Sequence, residues 1–455
     1  MKRSWLTGMT PLIVLAALAF NLLSRLPAQT VEQWDEARHM ASAVELLRSG
    51  DWLVTTYQGT ADYWNLKPPL SVWTSALGLL MVSDPFVGAR LFSLLAMVLT
   101  TLLVFREARR QGDDAAAFLT VIFLTASWPL FTSHAARTAD PDMLFILGTT
   151  AAMCGFMAGS ARGLWLAYAA LGGAFLAKSF HVVPFGCAGF LYSLVLWRKG
   201  ILPGRVIVLA PMAFWGPVLP WMLARYNRDG WHFLELMVTY DVLKRAGSGF
   251  VTGEQSSRWI YVDLLFQTYG FVFAAWGIVL AGHRGWRRIL TGLPVLPILW
   301  ITIPLLVFSA SKTRLGWYIY PVFPAACVLL GLVFARSWPR ARRLPRLLGF
   351  SVLCVGLIAL EKETVGFIRM IVAGAHPVSE ALVAVAHLPA SAGPRRPVYL
   401  VTDPGLVYQQ YYATALLTDR IDLQPGGRPA YAACAQRQQA CWLIDGEGRI
   451  ERSRP

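Results

Sequence analysis

Long apolar stretches recur along the chain, and each is close to the length needed to cross the hydrocarbon core of a membrane. About eleven can be placed, and they cover roughly 10–27, 86–105, 115–132, 142–159, 163–178, 182–197, 205–223, 259–281, 290–309, 316–335 and 346–360. Hydrophobic residues make up 56% of the 455 and charged residues only 15%, unlike the composition of soluble domains. We therefore predict an all-α polytopic membrane protein with about 11–13 transmembrane helices.

The loops between these stretches alternate in charge, and the alternation indicates their orientation. One set is rich in arginine and lysine, at about 106–110, 162, 198–205, 284–288 and 336–346. Because cytoplasmic loops carry such an excess, the other set is predicted to be external: 28–85, 133–141, 179–181, 224–258, 310–315 and the tail after about 361. The same clusters account for the net charge of +15, so we predict no nucleic-acid partner.

Two apolar segments near the N-terminus affect this topology. Residues 68–82 are interpreted as a helix that dips into the membrane and returns, since counting them as a span would reverse every later loop. The first apolar stretch is interpreted as an uncleaved span and not as a signal peptide, because Arg25 lies where small residues should precede cleavage.

The first external loop, 28–85, combines an acidic pair, a helical pattern and a lysine. Asp35 and Glu36 begin the pattern, Glu45 and Arg48 are predicted to face away from its apolar side, and a glycine stops it. The apolar side consists of Ala37, Met40, Ala41, Val44 and Leu47. Such a helix beside a membrane span is expected to lie in the headgroup layer. Lys67, ahead of two prolines, ends the loop, so acid and cation are placed at the depth of lipid phosphates.

The other external loops carry further candidates next to the membrane. These are Arg137, Asp140, Asp142, Lys178, Arg245, Lys312, Arg314 and Tyr318. A carboxylate at a membrane edge, such as Asp142, is costly unless it faces a cavity or a partner. Loop 224–258, in which glycines follow Arg245, is typical of a mobile lid or binding loop.

Each candidate also has an ordinary structural explanation. Asp35 and Glu36 could be carboxylates favoured by the helix dipole, and the cations could be interfacial side chains that reach the headgroups. Asp142 could form an ion pair with Arg137. The histidines show no helical metal spacing and are interpreted as interfacial residues. These explanations leave open why carboxylates and cations gather on the face that should avoid positive charge.

The order of these motifs resembles that of bacterial GT-C glycosyltransferases. The matching segments are WDEARHMASAVELLRSGDW, KPPLSVW, ARTADPDMLF, FLAKS, GPVLPW and SASKTRLGWYIYPVFPA. They extend over about 20–335, and KPPL, placed after DE and a helix-bearing loop, is the most specific. The chain is similar to the group that contains the aminoarabinose transferase of lipid A and, more distantly, the protein O-mannosyltransferases.

The resemblance implies a GT-C fold and a transferase that takes a sugar from a polyprenyl-phosphate donor at the external face of the bacterial cytoplasmic membrane. It gives Asp35 and Asp142 the family's acidic positions and Lys67 that of the donor-phosphate lysine. Lys178 is followed by serine where the family usually has glycine. We predict catalytic roles for Asp35, Glu36 and Asp142, donor-phosphate binding by Lys67, Lys178, Lys312 and Arg314, and substrate contacts from Arg137, Asp140, Tyr318 and Arg245.

The chemistry of such a donor makes the same demands on the protein. Its lipid lies in the bilayer, so cations at headgroup depth must stabilise the phosphate charge that grows as the glycosidic bond breaks. A carboxylate near the anomeric carbon can act as a general base or stabilise an oxocarbenium-like transition state. Direct displacement would invert that carbon. We predict no cofactor and no metal, with an envelope acceptor such as lipid A, a glycan or a protein.

The domain organisation follows from the same topology. Residues 1–360 are predicted to form the transmembrane catalytic domain, and 375–455 a small external α/β unit with strands near 398–402, 420–423 and 441–444. Cys434 and Cys441 could form a disulfide if the tail lies outside the reducing compartment. The other four cysteines lie in apolar runs.

A multi-span lipid or solute transporter, or a flippase, is the alternative function. Many spans and charges within the membrane are typical of both. Here, however, the ionisable groups collect at one face and no inverted repeat is visible in the sequence. A non-catalytic scaffold would leave the DE and KPPL motifs without a role.

Overall fold

A computed structural model describes residues 6–244, 257–281, 292–373, 377–388, 396–401, 404–424, 426–437 and 439–453. Helices dominate these ranges, as predicted. They are α1 (Leu6–Leu23), α2 (Asp35–Ser49), α3 (Leu70–Met81), α4 (Pro85–Gln111), α5 (Asp114–Thr125), α6 (Asp142–Met157), α7 (Ala161–Lys178), α8 (Val183–Arg198), α9 (Gly204–Leu209), α10 (Met212–Asp229), α11 (His232–Val238), α12 (Ile260–Ala281), α13 (Val295–Ala310), α14 (Phe323–Ser337), α15 (Arg343–Ala373), α16 (Pro377–Ala386), α17 (Pro404–Thr418) and α18 (Gly427–Gln436). The strands are β1 (Thr56–Tyr57), β2 (Thr60–Ala61), β3 (Arg396–Leu400), β4 (Ile421–Gln424), β5 (Trp442–Ile444) and β6 (Ile450–Arg452).

Six helical stretches within the described ranges are long and apolar enough to cross a membrane. They are Pro85–Gln111, Ala161–Arg198, Gly204–Asp229, Ile260–Ala281, Gly316–Ser337 and Arg343–Ile371. The number is below that of the predicted spans partly because α7 and α8 form one stretch, broken by a 3₁₀ turn at Ser179–Val182. In addition, some apolar runs continue in irregular segments. The run that contains α5 ends in the 3₁₀ turn Trp128–Phe131, so its regular helix has only 12 residues.

Small residues bring helices α6 and α7 together. A short turn joins α6 to α7, so the helices lie side by side and antiparallel. A Cβ atom added at Gly148 of α6 would lie 2.9 Å from the Cβ of Ala174 in α7. Close approach of this kind is what small residues allow in membrane proteins. As a result, Asp142 at the start of α6 and Lys178 at the end of α7 share one end of the helix pair.

Helix α2 forms where predicted, but protein covers its apolar side. Ala37, Met40 and Ala41 are fully buried, and they belong to one cluster with Ala413 and Leu417 of the C-terminal tail. Another side of α2 packs against α3, whose 12 residues are too few to span the bilayer, as predicted. The apolar side of α2 therefore faces protein and not lipid, and the position of the helix in the headgroup layer stays a prediction.

The tail folds into a small α/β unit, as predicted. Its four strands pair in the order β4-β3-β5-β6, with β3 parallel to β4 and β5 and with β6 antiparallel to β5. Val398, Trp442 and Ile444 lie in its core. A disulfide joins Cys434 to Cys441. Helix α15 leads into this unit and ends at Ala373, later than the predicted boundary near 360.

Glu45 of α2 attaches the C-terminal unit to the first external loop. Its carboxylate is buried and accepts a hydrogen bond of 2.6 Å from the hydroxyl of Tyr412 in α17. It also accepts hydrogen bonds from the backbone amides of Gln58 and Gly59, in the turn between β1 and β2. The helical pattern predicted that Glu45 faces away from the protein. This prediction is wrong, because its side chain is buried. The contact also places the first loop and the tail on the same side of the membrane.

Replacement of Tyr412 by phenylalanine is expected to destabilise the protein by roughly 1–3 kcal/mol, because a buried carboxylate loses its hydroxyl donor. The measurement is the unfolding temperature of the purified protein in detergent. Tyr226→Phe is the matched control, since the side chain of Tyr226 is exposed. Equal unfolding temperatures for the two variants would contradict a role for Glu45 in holding the tail.

Candidate active site

Asp35 and Lys67 form an ion pair at the junction of α2 and α3. Asp35 is the first residue of α2, and Lys67 lies three residues before α3 begins. The Lys67 Nζ is 3.0 Å from Asp35 Oδ2, and both side chains retain some exposure, 14% and 22%. The two helices are packed together through Ala43, Leu46, Val72 and Ala76, which fixes this distance. The pair is therefore accessible to a ligand.

A second ion pair joins Asp142 to Lys178. Both side chains are buried, at 3% and 4% exposure, and Nζ of Lys178 donates to Asp142 Oδ1. The Nζ also lies 5.2 Å from the centre of the Tyr318 ring, a cation–π distance. Tyr318 belongs to the segment that precedes α14, so a distant part of the chain completes this pair. The predicted pairing of Asp142 with Arg137 is not the one that forms.

His134 and Asp140 connect the first ion pair to the loop before α6. Single ligand atoms of Asp35, His134 and Asp140 lie within 4.8 Å of one another, and His134 Nδ1 is 3.6 Å from Asp140 Oδ2. The His134 ring stacks on Trp317, with ring centres 3.8 Å apart. His134 adopts a φ of +59°, a conformation that L-residues rarely adopt and that recurs at functional sites. Asp35, Asp140 and their neighbours thus gather at one place.

The cluster shifts the proton equilibria of its members. Burial would raise the pKa of Asp35, but Lys67 and the neighbouring histidines lower it well below its ordinary range. Burial would likewise lower the pKa of Lys67, yet Asp35 and, more weakly, Asp142 and Asp140 raise it. Both groups are therefore charged at neutral pH. Since Asp142 and Asp140 also act on Lys67, the two ion pairs share one electrostatic environment.

His39 and Glu32 belong to the site, although neither is a predicted site residue. His39 Nδ1 donates to the Asp35 carbonyl at 2.6 Å, and Asn65 Nδ2 lies 3.4 Å from His39 Nε2. Burial lowers the pKa of His39 to about 4, so its ring is neutral. Burial, Glu36 and other carboxylates raise the pKa of Glu32 to about 8. In the sequence, only its position three residues before Asp35 indicates that Glu32 could belong to the site.

Glu36 has a structural position and not the predicted catalytic one. Its two oxygens accept hydrogen bonds from Nε and Nη2 of Arg90, at 2.8 and 2.9 Å, and both side chains are fully buried. The backbone amides of Ala139 and Glu32 donate to the same carboxylate. Glu36 is thus occupied in joining α2, α4 and the 133–141 loop. Because both of its oxygens accept hydrogen bonds within the protein, Glu36 has a structural role.

Arg137 is also occupied by structural contacts. Its guanidinium donates to the carbonyls of Asn21, Leu22 and Ser24, at the end of α1, and to the side chain of Gln29. These carbonyls have no partner within the helix, so Arg137 caps it. Since the guanidinium donates to groups of the protein, we propose no substrate contact for Arg137. Its neighbour Asp140 stays in the site.

The late external loop contributes aromatic rings to the site. Trp317 and Tyr318 reach His134 and Lys178, as described above, whereas Lys312 is exposed and Arg314 donates to the carbonyl of Ser311. Phosphate binding by Lys312 and Arg314 stays a prediction. The 224–258 loop is described up to 244 and again from 257, and Arg245 lies outside the described residues.

The arrangement can bind an anion and act on a neighbouring carbon centre. Lys67 and Lys178 are two cations, each paired with a carboxylate that a phosphate could replace. Within the described ranges, Asp35, His134 and Asp140 form a group that could hold a divalent metal ion. This chemistry suits a transfer in which an anionic leaving group is stabilised.

Comparisons with known proteins find relatives of this chain. The family model for dolichyl-phosphate-mannose-protein mannosyltransferases matches residues 66–222. Two relatives are named undecaprenyl phosphate-alpha-4-amino-4-deoxy-L-arabinose arabinosyl transferase. The protein of Edwardsiella ictaluri is 30% identical over 73% of this chain and 60% of its own length. That of Pseudomonas aeruginosa PAO1 is 28% identical over 78% of this chain and 65% of its own. The chain thus spans less than two thirds of the length of either relative.

The fold has a match among solved structures. The crystal structure of ArnT from Cupriavidus metallidurans bound to undecaprenyl phosphate matches with a TM-score of 0.68 and 18% identity, over 96% of this chain and 92% of that one. This likeness confirms the predicted type of fold, and the sequence relatives confirm the predicted resemblance. The chain is thus similar in sequence to the undecaprenyl phosphate-alpha-4-amino-4-deoxy-L-arabinose arabinosyl transferases and shares the fold of ArnT, in agreement with the resemblance that its motifs show.

Proposed function

We propose that this protein is a membrane glycosyltransferase that moves a sugar from a polyprenyl-phosphate donor to an acceptor of the cell envelope, such as lipid A, a glycan or a protein. One observation carries the proposal: the Asp35–Lys67 ion pair lies close enough to the Asp142–Lys178 ion pair for Asp142 to act on Lys67. The names of the relatives make undecaprenyl-phosphate-linked 4-amino-4-deoxy-L-arabinose the first donor to test.

The ion pair between Asp35 and Lys67 suggests how binding prepares the reaction. The donor phosphate competes with Asp35 for Lys67, because a phosphate offers more acceptor oxygens and a larger charge. When Lys67 turns to the phosphate, Asp35 loses its main positive neighbour and its pKa rises. Asp35 then becomes a stronger base towards an acceptor hydroxyl. Donor binding would thereby activate the carboxylate that the following step requires.

The transfer itself would proceed by direct displacement. The acceptor oxygen attacks the anomeric carbon while the bond to the phosphate oxygen breaks, and the electron pair of that bond goes to the phosphate. Lys67 and Lys178 stabilise the resulting charge. Asp35 takes the proton of a hydroxyl acceptor or, with a phosphate acceptor, stabilises the positive charge on the sugar. One displacement inverts the anomeric centre.

We propose that the reaction takes place on the periplasmic side of the bacterial inner membrane. The basic loops mark the opposite side as cytoplasmic. The disulfide between Cys434 and Cys441 supports this orientation, because disulfides persist in oxidising compartments. Since the tail contacts α2, the orientation of the tail is also that of Asp35.

The proposal is tested with purified protein in lipid nanodiscs, supplied with a radiolabelled polyprenyl-phosphate sugar and separate acceptors. We expect the label to move to one acceptor and free polyprenyl phosphate to be released. In a transporter or flippase, the label would cross the bilayer of proteoliposomes and stay bonded to its phosphate. That result, with no acceptor labelled, would reject the transferase.

A pH dependence is expected from Glu32. Burial, Glu36 and Asp140 raise its pKa from 4.5 to about 8, against weaker opposite effects of His134 and Arg90. The side chain is therefore neutral below about pH 8 and adds a negative charge above it. Because that charge repels the phosphate, KM for the donor should rise about tenfold above this pH. Initial rates between pH 6 and about 9.5 measure the effect.

Glu32→Gln serves as the matched variant for this dependence. Glutamine stays neutral at every pH, so the rise in KM should disappear while the rate at pH 7 is retained. An unchanged alkaline rise in this variant would mean that another group titrates. Protein unfolding at high pH is checked separately by its melting temperature.

Transfer is expected to persist in excess EDTA, because Lys67 and Lys178 supply the positive charge that a metal would otherwise supply. The rate is measured before and after chelation and after the addition of Mg²⁺, Mn²⁺ or Zn²⁺. A loss of activity on chelation that one ion restores would contradict this expectation. In that case, Asp140→Ala should weaken binding of that ion.

A further inference from the structure

Two tryptophans stand beside the Asp35–Lys67 pair with much of their surface exposed. Trp34 directly precedes Asp35, and Trp64 lies three residues before Lys67. Their exposed fractions are 45% and 39%. The rings stack with their centres 6.3 Å apart and their planes 30° apart. Exposed aromatic surface is thus presented next to the groups that would hold the donor phosphate.

The position of Trp64 is fixed by a charged pair behind it. The guanidinium of Arg38 lies 4.7 Å from the Trp64 ring and 4.2 Å from that of Tyr57. Arg38 in turn donates two hydrogen bonds of 2.7 Å to Asp62, which also accepts the backbone amide of Trp64. The ring therefore cannot fold away into the protein. Its orientation is set before any ligand arrives.

The position of Trp34 is fixed by an unusual backbone conformation. Its φ is +71°, in the region that residues with a side chain seldom adopt. A conformation of this kind is unfavourable by itself and persists where the surroundings impose it. Here the residues on either side are held, because the backbone amide of Glu32 bonds to Glu36 and that of Arg38 bonds to the Trp34 carbonyl. The chain therefore maintains an exposed indole at the first residue before Asp35.

We propose that Trp34 and Trp64 form a stacking platform for a saccharide ring of a substrate. An indole face carries negative charge density, and the C–H groups on one face of a sugar ring are apolar and weakly positive. An amino sugar would add a cation–π attraction. The inference rests on the proposed transferase function and deepens it. The saccharide belongs either to the donor or to the acceptor, and the two sources share this chemistry.

Trp52 provides the matched control for the platform. It lies in the same loop and is exposed to the same extent, 39%, but its backbone carbonyl binds the Trp73 indole and its ring is outside the stacked pair. If exposed tryptophans of this loop served only as anchors at the membrane surface, all three would behave alike.

The test compares Trp34→Ala, Trp64→Ala and Trp52→Ala in the nanodisc transfer assay, with KM measured separately for donor and acceptor. We expect KM for one substrate to rise about tenfold in the first two variants and to stay unchanged in the third. The substrate affected identifies the source of the saccharide. Trp34→Phe and Trp64→Phe keep an aromatic face, so their KM values should be close to that of the wild type. The melting temperatures of all the variants identify any that fails to fold.

The outcomes separate this inference from the proposed function. If the wild-type protein transfers no sugar, the function fails and the platform fails with it. If the wild type is active and both KM values stay unchanged in Trp34→Ala and Trp64→Ala, only the platform is rejected. Equal effects in all three alanine variants also reject it, in favour of membrane anchoring.

Discussion

Replacement of Lys67 by alanine is expected to lower the rate of sugar transfer about 100- to 1000-fold, the usual cost of removing one group that stabilises a developing negative charge. Lys67 lies 3.0 Å from Asp35, and its side chain, 14% exposed, is more accessible to a phosphate than that of Lys178, which is 4% exposed. Without Lys67, one fewer cation stabilises the negative charge that develops on the leaving phosphate. Single-turnover rates and donor KM, measured in nanodiscs, quantify both parts of the loss.

The controls for Lys67 address charge and folding separately. Lys199→Ala, at an exposed position after α8, should transfer sugar at the wild-type rate. Because Lys67→Ala leaves Asp35 without its partner, the double variant Asp35→Asn/Lys67→Met removes both charges and should regain thermal stability without regaining activity. Wild-type transfer by a folded Lys67 variant would reject its role at the phosphate.

Replacement of Asp35 by asparagine is expected to lower kcat about 100- to 10,000-fold. Asparagine has nearly the same shape, and its side-chain oxygen can still accept the hydrogen bond from Lys67. The substitution therefore removes charge and basicity while the packing of α2 is kept. Rates are compared with a hydroxyl acceptor and with a phosphate acceptor. A larger loss with the hydroxyl acceptor would assign Asp35 as the base.

Asp114→Asn is the matched control for this substitution, since Asp114 forms an exposed ion pair with Arg109 in a predicted cytoplasmic loop. It should leave the rate unchanged. Retention of wild-type kcat by Asp35→Asn with both acceptors would remove Asp35 from the chemistry. Melting temperatures of both variants show whether a loss of rate has a structural cause.

The sequence was sufficient to find the main charged groups of the site. Asp35, Lys67, Asp142 and Lys178 each lie where a polar external segment meets an apolar run, and the distribution of arginines assigns these boundaries to one face. The type of fold followed from the apolar runs and the family motifs. The span lengths were less accurate, because an apolar stretch such as 115–132 does not reveal where its helix gives way to a 3₁₀ turn.

The pairing of these groups could not be predicted in the same way. Asp142 binds Lys178, 36 residues away, because small residues bring α6 and α7 together. Asp35 and Glu36 look equivalent in the sequence, yet neighbouring residues on a helix point about 100° apart. One therefore reaches Lys67 and the other reaches Arg90. A lone arginine within the apolar run of α4 was the available sign that a buried carboxylate must lie near it.

The contact between Glu45 and Tyr412 has a consequence for biogenesis. These residues are separated by 367 positions, so the ribosome completes α2 long before it makes the helix that covers it. Until then, the part of the apolar side of α2 that packs against Ala413 and Leu417 stays uncovered. An aborted chain that has already inserted most of its spans would thus expose this surface, whereas a finished chain would conceal it. The tail thereby completes the packing of the helix that begins at Asp35.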